Sequence, residues 1–284
     1  MVKIILLLLA FGLSTLTTLL LNFDAAWKIA ISIIGMGIGF IIVFALIFFL
    51  ILILFGLKVK KGEVATKYSK TYHHLYSIYQ IFALSFFGVK LTTNGLDMIP
   101  KDTNFVLVQN HTSNLDPMFT DAILRKYPLI FVSKESLFRL PFFGKIITHM
   151  GYVKLSRKNA MNDASEIVRG VRWTRAGEVC LGIYPEGTRN KTYPNPELLQ
   201  FKEGSISMIK KASRPIVVSV MRGTRDVNNG LLTRVHKVQF DVVKVIRLEA
   251  VESMNNEELE KEIREAMLEG IRNPSTKKEK VRLY

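Results

Sequence analysis

The chain has almost no cysteine. Cys180 stands alone among 284 residues, so no disulfide can form within the chain, and a reducing, cytosol-facing setting fits. Glycine (18) and proline (9) are too few for a collagen-like or low-complexity chain, and 49% hydrophobic residues are too many for a disordered one. Histidine, cysteine and carboxylates nowhere gather at metal-ligand spacing, so no metal is expected. The neighbours His73 and His74 point to different sides of a helix and read as surface residues. Acidic residues are outnumbered, 24 against 39 basic ones, which leaves a net charge of +15. That balance implies an anionic partner: phosphate, anionic lipid or nucleic acid.

Charge is also missing from the first 57 residues, where only Lys3, Asp24 and Lys28 carry any. Ile4–Leu21 and Ile29–Leu57 are uncharged runs of 18 and 29 residues. About 20 helical residues at ~1.5 Å each span a hydrocarbon core of ~30 Å, so each run can cross a bilayer. Nearly all the net charge, +14, follows the second run. The positive-inside rule then places the C-terminal part in the cytoplasm at the cell membrane, and two spans joined by Asn22–Lys28 place the N-terminus there too. A cleaved signal peptide ending near Ala25–Ala26 is the alternative for the first run. Its apolar stretch is longer than the usual ~7–15 residues, and no disulfide framework follows. Gly35, Gly37 and Gly39 lack the strand and acidic residue of a nucleotide site and suit close helix packing.

Lys58, Lys60 and Lys61 suit anionic headgroups. Tyr68, Tyr72, Tyr76 and Tyr79 then recur at helical spacing and lead into Ile81, Phe82, Leu84, Phe86 and Phe87. These residues fit amphipathic helices at a membrane interface, or helices that cover the core of the following domain. The expected organisation is two transmembrane helices (1–57), interfacial helices (58–93) and an α/β domain (94–284).

Beyond Asn94 short β-rich runs appear: Phe105–Gln109, Leu129–Ser133, Tyr152–Leu155, Val179–Tyr184, Ile216–Met221 and Lys237–Val245. Helical patterns at Pro117–Lys126, Ala160–Ala176 and Gly204–Ser213 fall between several of them. This alternation predicts an α/β fold with a largely parallel sheet covered by helices. Thr224–Arg234 reads as a polar loop, which leaves room for antiparallel pairing towards the C-terminus. Leu259, Ile263, Ala266 and Met267 form an apolar stripe on a helix around Glu257–Leu268, suited to packing on the sheet. The basic tail from Lys277 is expected to fray. In such sheets ligands sit beyond the carboxyl ends of strands, so the loops there come first.

One such loop is Gln109-Asn110-His111-Thr112-Ser113-Asn114-Leu115-Asp116-Pro117. Asp116 can accept a hydrogen bond from one imidazole nitrogen of His111, fix its tautomer and leave the other nitrogen as a base. The motif holds no nucleophile, so the substrate would supply one, such as a hydroxyl. On spacing alone a second reading stands beside it: His111 caps a turn and Asp116 caps the helix that begins at Pro117.

A second segment, Tyr184-Pro185-Glu186-Gly187-Thr188-Arg189-Asn190, also follows a strand. Together with Asn110-His111 and Asp116 it closely resembles the glycerolipid acyltransferases, in particular the 1-acylglycerol-3-phosphate acyltransferases. Ser133–Phe138 with Pro141–Gly144, Gly151–Arg157, Phe201-Lys202 with Gly204, and Pro215–Val217 resemble the family's other blocks. The resemblance covers roughly residues 104–220. Lys154 and Ser156 depart from the family pattern around Arg157, and Val218 replaces a proline.

The resemblance implies acyl transfer from a thioester to a glycerol hydroxyl, giving phosphatidic acid, with His111 as base and Asp116 orienting it. It assigns Glu186, Gly187, Thr188 and Arg189 to acceptor binding. A guanidinium can grip a phosphate with two hydrogen bonds, which suits Arg189, though an ion pair with Glu186 is the plainer alternative. Lys134 and Arg157 are further candidates for phosphate or oxyanion contacts. Phe138, Phe142 and Phe143 could line an acyl groove. No cofactor is implied; acyl-CoA or acyl-carrier protein would be the donor substrate. The expected partners are membrane lipid, as lysophosphatidate and anionic headgroups, and acyl-carrier protein. Glycerol-3-phosphate or another lysophospholipid is the alternative acceptor, and a non-enzymatic anion-binding module the alternative class. Nucleic acid is not expected, because the basic residues are dispersed and no nucleic-acid motif occurs.

Overall fold

The protein is described by a computed structural model over residues 2–21, 25–57, 65–85, 89–141, 143–229, 235–275 and 279–280. Lys58, Lys60, Lys61, Phe86, Phe87 and Phe142 lie outside the described residues, as do positions 22–24 of the expected loop and most of the tail from Lys277. The chain divides into two units, residues 1–62 and 63–283.

In the first unit α1 (Val2–Leu20) packs on α2 (Ala26–Leu57). Ala10, Ser14 and Thr18, four residues apart, form the buried stripe of α1. Small residues let two apolar helices approach closely, and hydroxyls join them. The Ser14 hydroxyl donates to the Ile33 carbonyl, and Thr18 Oγ1 donates to Ser32 Oγ at 3.2 Å. A Cβ on Gly37 would come within 2.8 Å of the Phe11 ring, whereas Gly35 and Gly39 meet nothing within 4 Å. Close packing therefore needs only the middle glycine of the three. Within α2, Ala26–Phe44 is long and apolar enough to cross a membrane; the described apolar part of α1, Leu7–Leu20, is shorter.

The second unit begins with α3 (Lys70–Ser85), β1 (Val89–Asn94), β2 (Val106–Gln109), α4 (Asp116–Ile123), β3 (Leu129–Lys134), α5 (Glu135–Phe138), α6 (Phe143–Met150), β4 (Val153–Leu155) and α7 (Ala160–Arg175). It continues with β5 (Cys180–Ile183), α8 (Glu203–Lys211), β6 (Ile216–Arg222), α9 (Thr224–Asn229), β7 (His236–Ile246), α10 (Leu248–Ser253), α11 (Asn256–Arg272) and β8 (Glu279–Lys280). The sheet order is β4-β3-β5-β2-β6-β7-β1-β8. The five strands from β4 to β6 are parallel, β7 runs antiparallel to β6, and β1 lies parallel to β7. The largely parallel α/β sheet covered by helices is thus as the alternation of runs required.

The central strands β2 and β5 are buried at every residue, which is why they read as short unbroken apolar runs. Helix α7 packs on β4 and β5, and α11 on β6 and β7. Leu259, Ile263 and Met267 of α11 are wholly buried. A capping box starts that helix: Glu258 N donates to Asn255 Oδ1 at 3.0 Å, and Asn255 N to Glu258 Oε2 at 2.8 Å.

Helix α3 packs on α4 and α6, and its Tyr76 ring lies 5.7 Å from that of Phe143. His74 is exposed as expected, but His73 is not a surface residue. It shares the inward face with Tyr76 and Gln80, as three- and four-residue steps on a helix require. Strand β1 starts at Val89, so the sheet reaches back into the stretch read as interfacial. The expected polar loop from Thr224 begins instead with the single-turn helix α9; positions 230–234 lie outside the described residues.

Candidate active site

Central strand β2 ends at Gln109, and the next side chain keeps the ladder intact. Asn110 Nδ2 donates to the Met221 carbonyl at 3.0 Å, and Met221 N donates to Asn110 Oδ1 at 2.8 Å. The backbone can therefore turn away from the sheet without stranding its neighbour's polar groups. His111 follows at the carboxyl end of the sheet.

The loop then folds back so that His111 Nδ1 lies 2.9 Å from Asp116 Oδ2. Asp116 is wholly buried at the start of α4, and every hydrogen bond of its carboxylate is one that it accepts. Thr112 N and Ser113 N donate to Oδ2 at 2.7 and 2.9 Å, and the Thr224 hydroxyl donates to Oδ1. The capping reading of the spacing is not realised: Leu115 stands at the cap of α4 without a side-chain bond, Asp116 is the first helical residue, and its carboxylate accepts from the preceding loop and the imidazole rather than from the helix. The imidazole itself is 16% exposed, and no described residue takes its Nε2. Its ring stacks on Tyr184 at 4.2 Å, and Tyr184 stacks on Phe131 at 5.7 Å. Ring stacking and the Asp116 bond together fix where Nε2 points.

The loop after β5 clamps the backbone of His111 from both sides. His111 N donates to Glu186 Oε1 at 2.9 Å, and Asn190 N donates to the His111 carbonyl at 2.7 Å. Glu186 is buried, and its second oxygen accepts from Leu199 N at 2.9 Å. Burial pushes its carboxyl up from the ordinary range, against the pull of these two amides. Each oxygen thus accepts from a backbone amide, and the side chain is held in the interior. Gly187 takes a positive φ of 65°, and a Cβ there would reach 3.0 Å from the Lys202 side chain. Its carbonyl accepts from the Arg157 guanidinium. Thr188 is exposed. Arg189 is half-buried and has no hydrogen-bond or ion-pair partner among the described residues, so the anticipated pairing with Glu186 is not made. Lys134 is exposed at the end of β3, and no described residue joins it to His111 or Asp116. Of the phenylalanines read as groove-lining, Phe143 packs on Tyr76.

Thr224 and Tyr184 are the residues that sequence reasoning passed over. Thr224 lies 108 positions from its partner Asp116, so spacing could not connect them. Tyr184 was visible only as the residue before Pro185. A described group of three or more metal-ligating side chains is absent, so nothing described here offers a metal centre.

A buried aspartate thus holds an imidazole at a strand end, and an unpaired guanidinium stands on the adjoining loop. Residues 90–222 match the acyltransferase family model. Similar proteins include the 1-acyl-sn-glycerol-3-phosphate acyltransferase of Borreliella burgdorferi, 29% identical over 178 residues, 59% of this chain and 67% of that one. The Escherichia coli protein of that name is 28% identical over 150 residues, 53% of this chain and 59% of its own length. Among solved structures, the Thermotoga maritima LPA acyltransferase PlsC shares the fold, with a TM-score of 0.58 at 21% identity over 78% of this chain and 86% of that one.

Proposed function

We propose that the chain transfers an acyl group from a fatty-acyl thioester to the free hydroxyl of 1-acyl-glycerol-3-phosphate, giving phosphatidic acid for phospholipid synthesis. The observation that carries this is the 2.9 Å contact between His111 and Asp116, with Nε2 untaken beside the loop that bears the unpaired Arg189. Nε2 takes the hydroxyl proton as the oxygen attacks the thioester carbonyl. The buried carboxylate of Asp116 stabilises the imidazolium that forms. The tetrahedral intermediate collapses, the carbon–sulfur bond breaks, and the imidazolium returns its proton to the leaving thiolate. No covalent acyl-enzyme is needed. Arg189 grips the acceptor phosphate; Arg157 and Lys134 serve as secondary cations. Glu186 positions His111 and the 186–199 loop rather than touching the acceptor. Acyl-CoA or acyl-carrier protein supplies the acyl group.

The N-terminal helices hold the enzyme in the membrane as a two-span hairpin, with the catalytic domain on the cytoplasmic side. There it meets an anionic lipid by diffusion within the surface. The test is purified protein in detergent with lysophosphatidate and each donor in turn, followed by product analysis. Phosphatidate should form, and His111→Ala should abolish it while the melting temperature holds. Near-normal turnover by that variant would sink the mechanism.

A further inference from the structure

Two loops at the carboxyl edge of the sheet contribute Lys134 and Arg157 to the reading above, but their exposed apolar residues have no role in it. Lys134 pairs in register with Leu155, so the chain leaves β3 and β4 side by side, and α5 packs on both strands. The segments 134–141 and 156–161 therefore form one rim. It exposes Leu137 (37%), Leu140 (46%) and Met161 (83%). The other exposed large apolar residues of this unit lie away from the rim along the chain: Ile78 on α3, Met98 after β1, Val235 before β7, and Val168 two turns further along the helix that Met161 begins. Lys134, Arg139, Arg157 and Lys158 surround the rim's apolar residues, against one outward carboxylate, Glu135, which pairs with Arg139 at 3.0 Å. Asp163, partly exposed in the first turn of α7, has its carboxylate engaged by the second loop, accepting from Ser156 N and Arg157 N at 2.7 Å each. The Arg157 guanidinium reaches from this rim to the Gly187 carbonyl, in the loop that clamps His111.

We propose that this rim is a membrane-contact surface that seats on an anionic lipid bilayer, separate from the apolar helices of the first unit. Protruding alkyl side chains ringed by cations match a bilayer interface, where apolar tips enter the acyl boundary and ammonium and guanidinium groups stay at headgroup phosphates. Contact there brings headgroup-level phosphates to the loop that carries Arg189. The inference concerns binding alone and holds whatever acceptor is used.

The test uses the full chain reconstituted in phosphatidylcholine vesicles with and without phosphatidylglycerol. A polarity-sensitive dye is attached to Leu140→Cys, Met161→Cys or Val168→Cys. Cys180 is buried and its thiol is pushed up to about 12 by burial, so wild type is the unlabelled blank. Position 168 lies seven residues along α7 from 161, on the same face and ~10 Å back. Dyes at 140 and 161 should shift to the blue and be quenched several-fold by a lipid-borne quencher, and the dye at 168 should stay wet. The effect should weaken without phosphatidylglycerol and in high salt. If 140 and 161 stay as wet as 168 while the protein floats with the vesicles, the rim is overturned and the helical anchor stands. Equal lipid quenching at all three positions also overturns it, because α7 would then lie flat. A blue shift caused in detergent by acyl-carrier protein alone would reassign the rim to a protein partner. A functional arm adds Leu140→Asp with Met161→Asp: turnover of a bilayer-embedded acceptor should drop, and turnover of a short-chain soluble acceptor should not. Equal turnover of wild type and variant on both acceptors counts against the proposal.

Discussion

Exchanging Glu186 for glutamine changes one oxygen for an NH2 of nearly the same shape. The carboxylate now holds two backbone donors, His111 N and Leu199 N, each at 2.9 Å. Glutamine has one acceptor, so one of those N–H groups must face another donor. A charge-assisted bond contributes ~1.5–3 kcal/mol, and a stranded buried donor costs a similar amount that overlaps with the lost bond. Part is offset, because burial already raises the Glu186 carboxyl and a neutral amide carries less desolvation cost. The net loss is then ~1–2 kcal/mol, a fall in melting temperature of about 2–8 °C for a domain of this size. The larger effect is on the reaction, because the other half of the clamp, Asn190 N on the His111 carbonyl, cannot hold the histidine alone. A displacement of ~1 Å at a reacting group can lower turnover by ~100-fold, so kcat should fall by about 10- to 100-fold. The acceptor KM should stay within about twofold, since uniform binding is untouched. Steady-state kinetics with a thermal melt in the same detergent decide it. A selective rise in acceptor KM with kcat and Tm intact would refute the argument and return Glu186 to the acceptor site.

Three further outcomes follow from the site. Arg189→Ala should raise the KM for lysophosphatidate far more than that for the acyl donor, by roughly 10- to 150-fold for a charged contact of ~1.5–3 kcal/mol. Arg189→Lys should recover part of it, and monoacylglycerol should barely notice either change; equal losses on both acceptors would remove the phosphate role. Thr224→Val should lower kcat about tenfold with both KM values held, because Asp116 Oδ1 loses its hydroxyl donor, and Thr224→Ser should restore it; an unchanged kcat in the valine variant would strip Thr224 of its role. Burial raises the Asp121 carboxyl well above its ordinary 3.8. A carboxyl raised in this way binds its proton more tightly folded than unfolded, so its contribution is full below that value and is lost as pH rises through the folded one. Asp121→Asn should therefore gain melting temperature over wild type increasingly above about pH 4 and gain nothing below it; a gain independent of pH would clear Asp121.

Local pattern carried much of this protein. Uncharged runs before residue 58 foretold two apolar helices, because a charge buried in hydrocarbon is costly at any position along them. Short apolar runs before His111 and Pro185 foretold strands buried on both faces, since only such strands tolerate apolar residues without alternation. The five-residue step from His111 to Asp116 was legible because one loop closes it. What the tertiary structure decided is whatever depends on strand order. β2 sits between β5 and β6, so the loops after positions 109, 183 and 222 converge at one end of the sheet. Only that convergence puts Glu186 on the His111 amide, Asn190 on its carbonyl and Thr224 on Asp116. The sequence marks Glu186 as polar and Thr224 as loop, but a polar side chain's partner lies across the sheet rather than along the chain. His73 shows the same limit, since helical spacing gives the faces of α3 and not which one meets α4. Hydrogen bonds and burial are set by what arrives alongside, and the packing of a sheet brings together residues that the chain keeps a hundred positions apart.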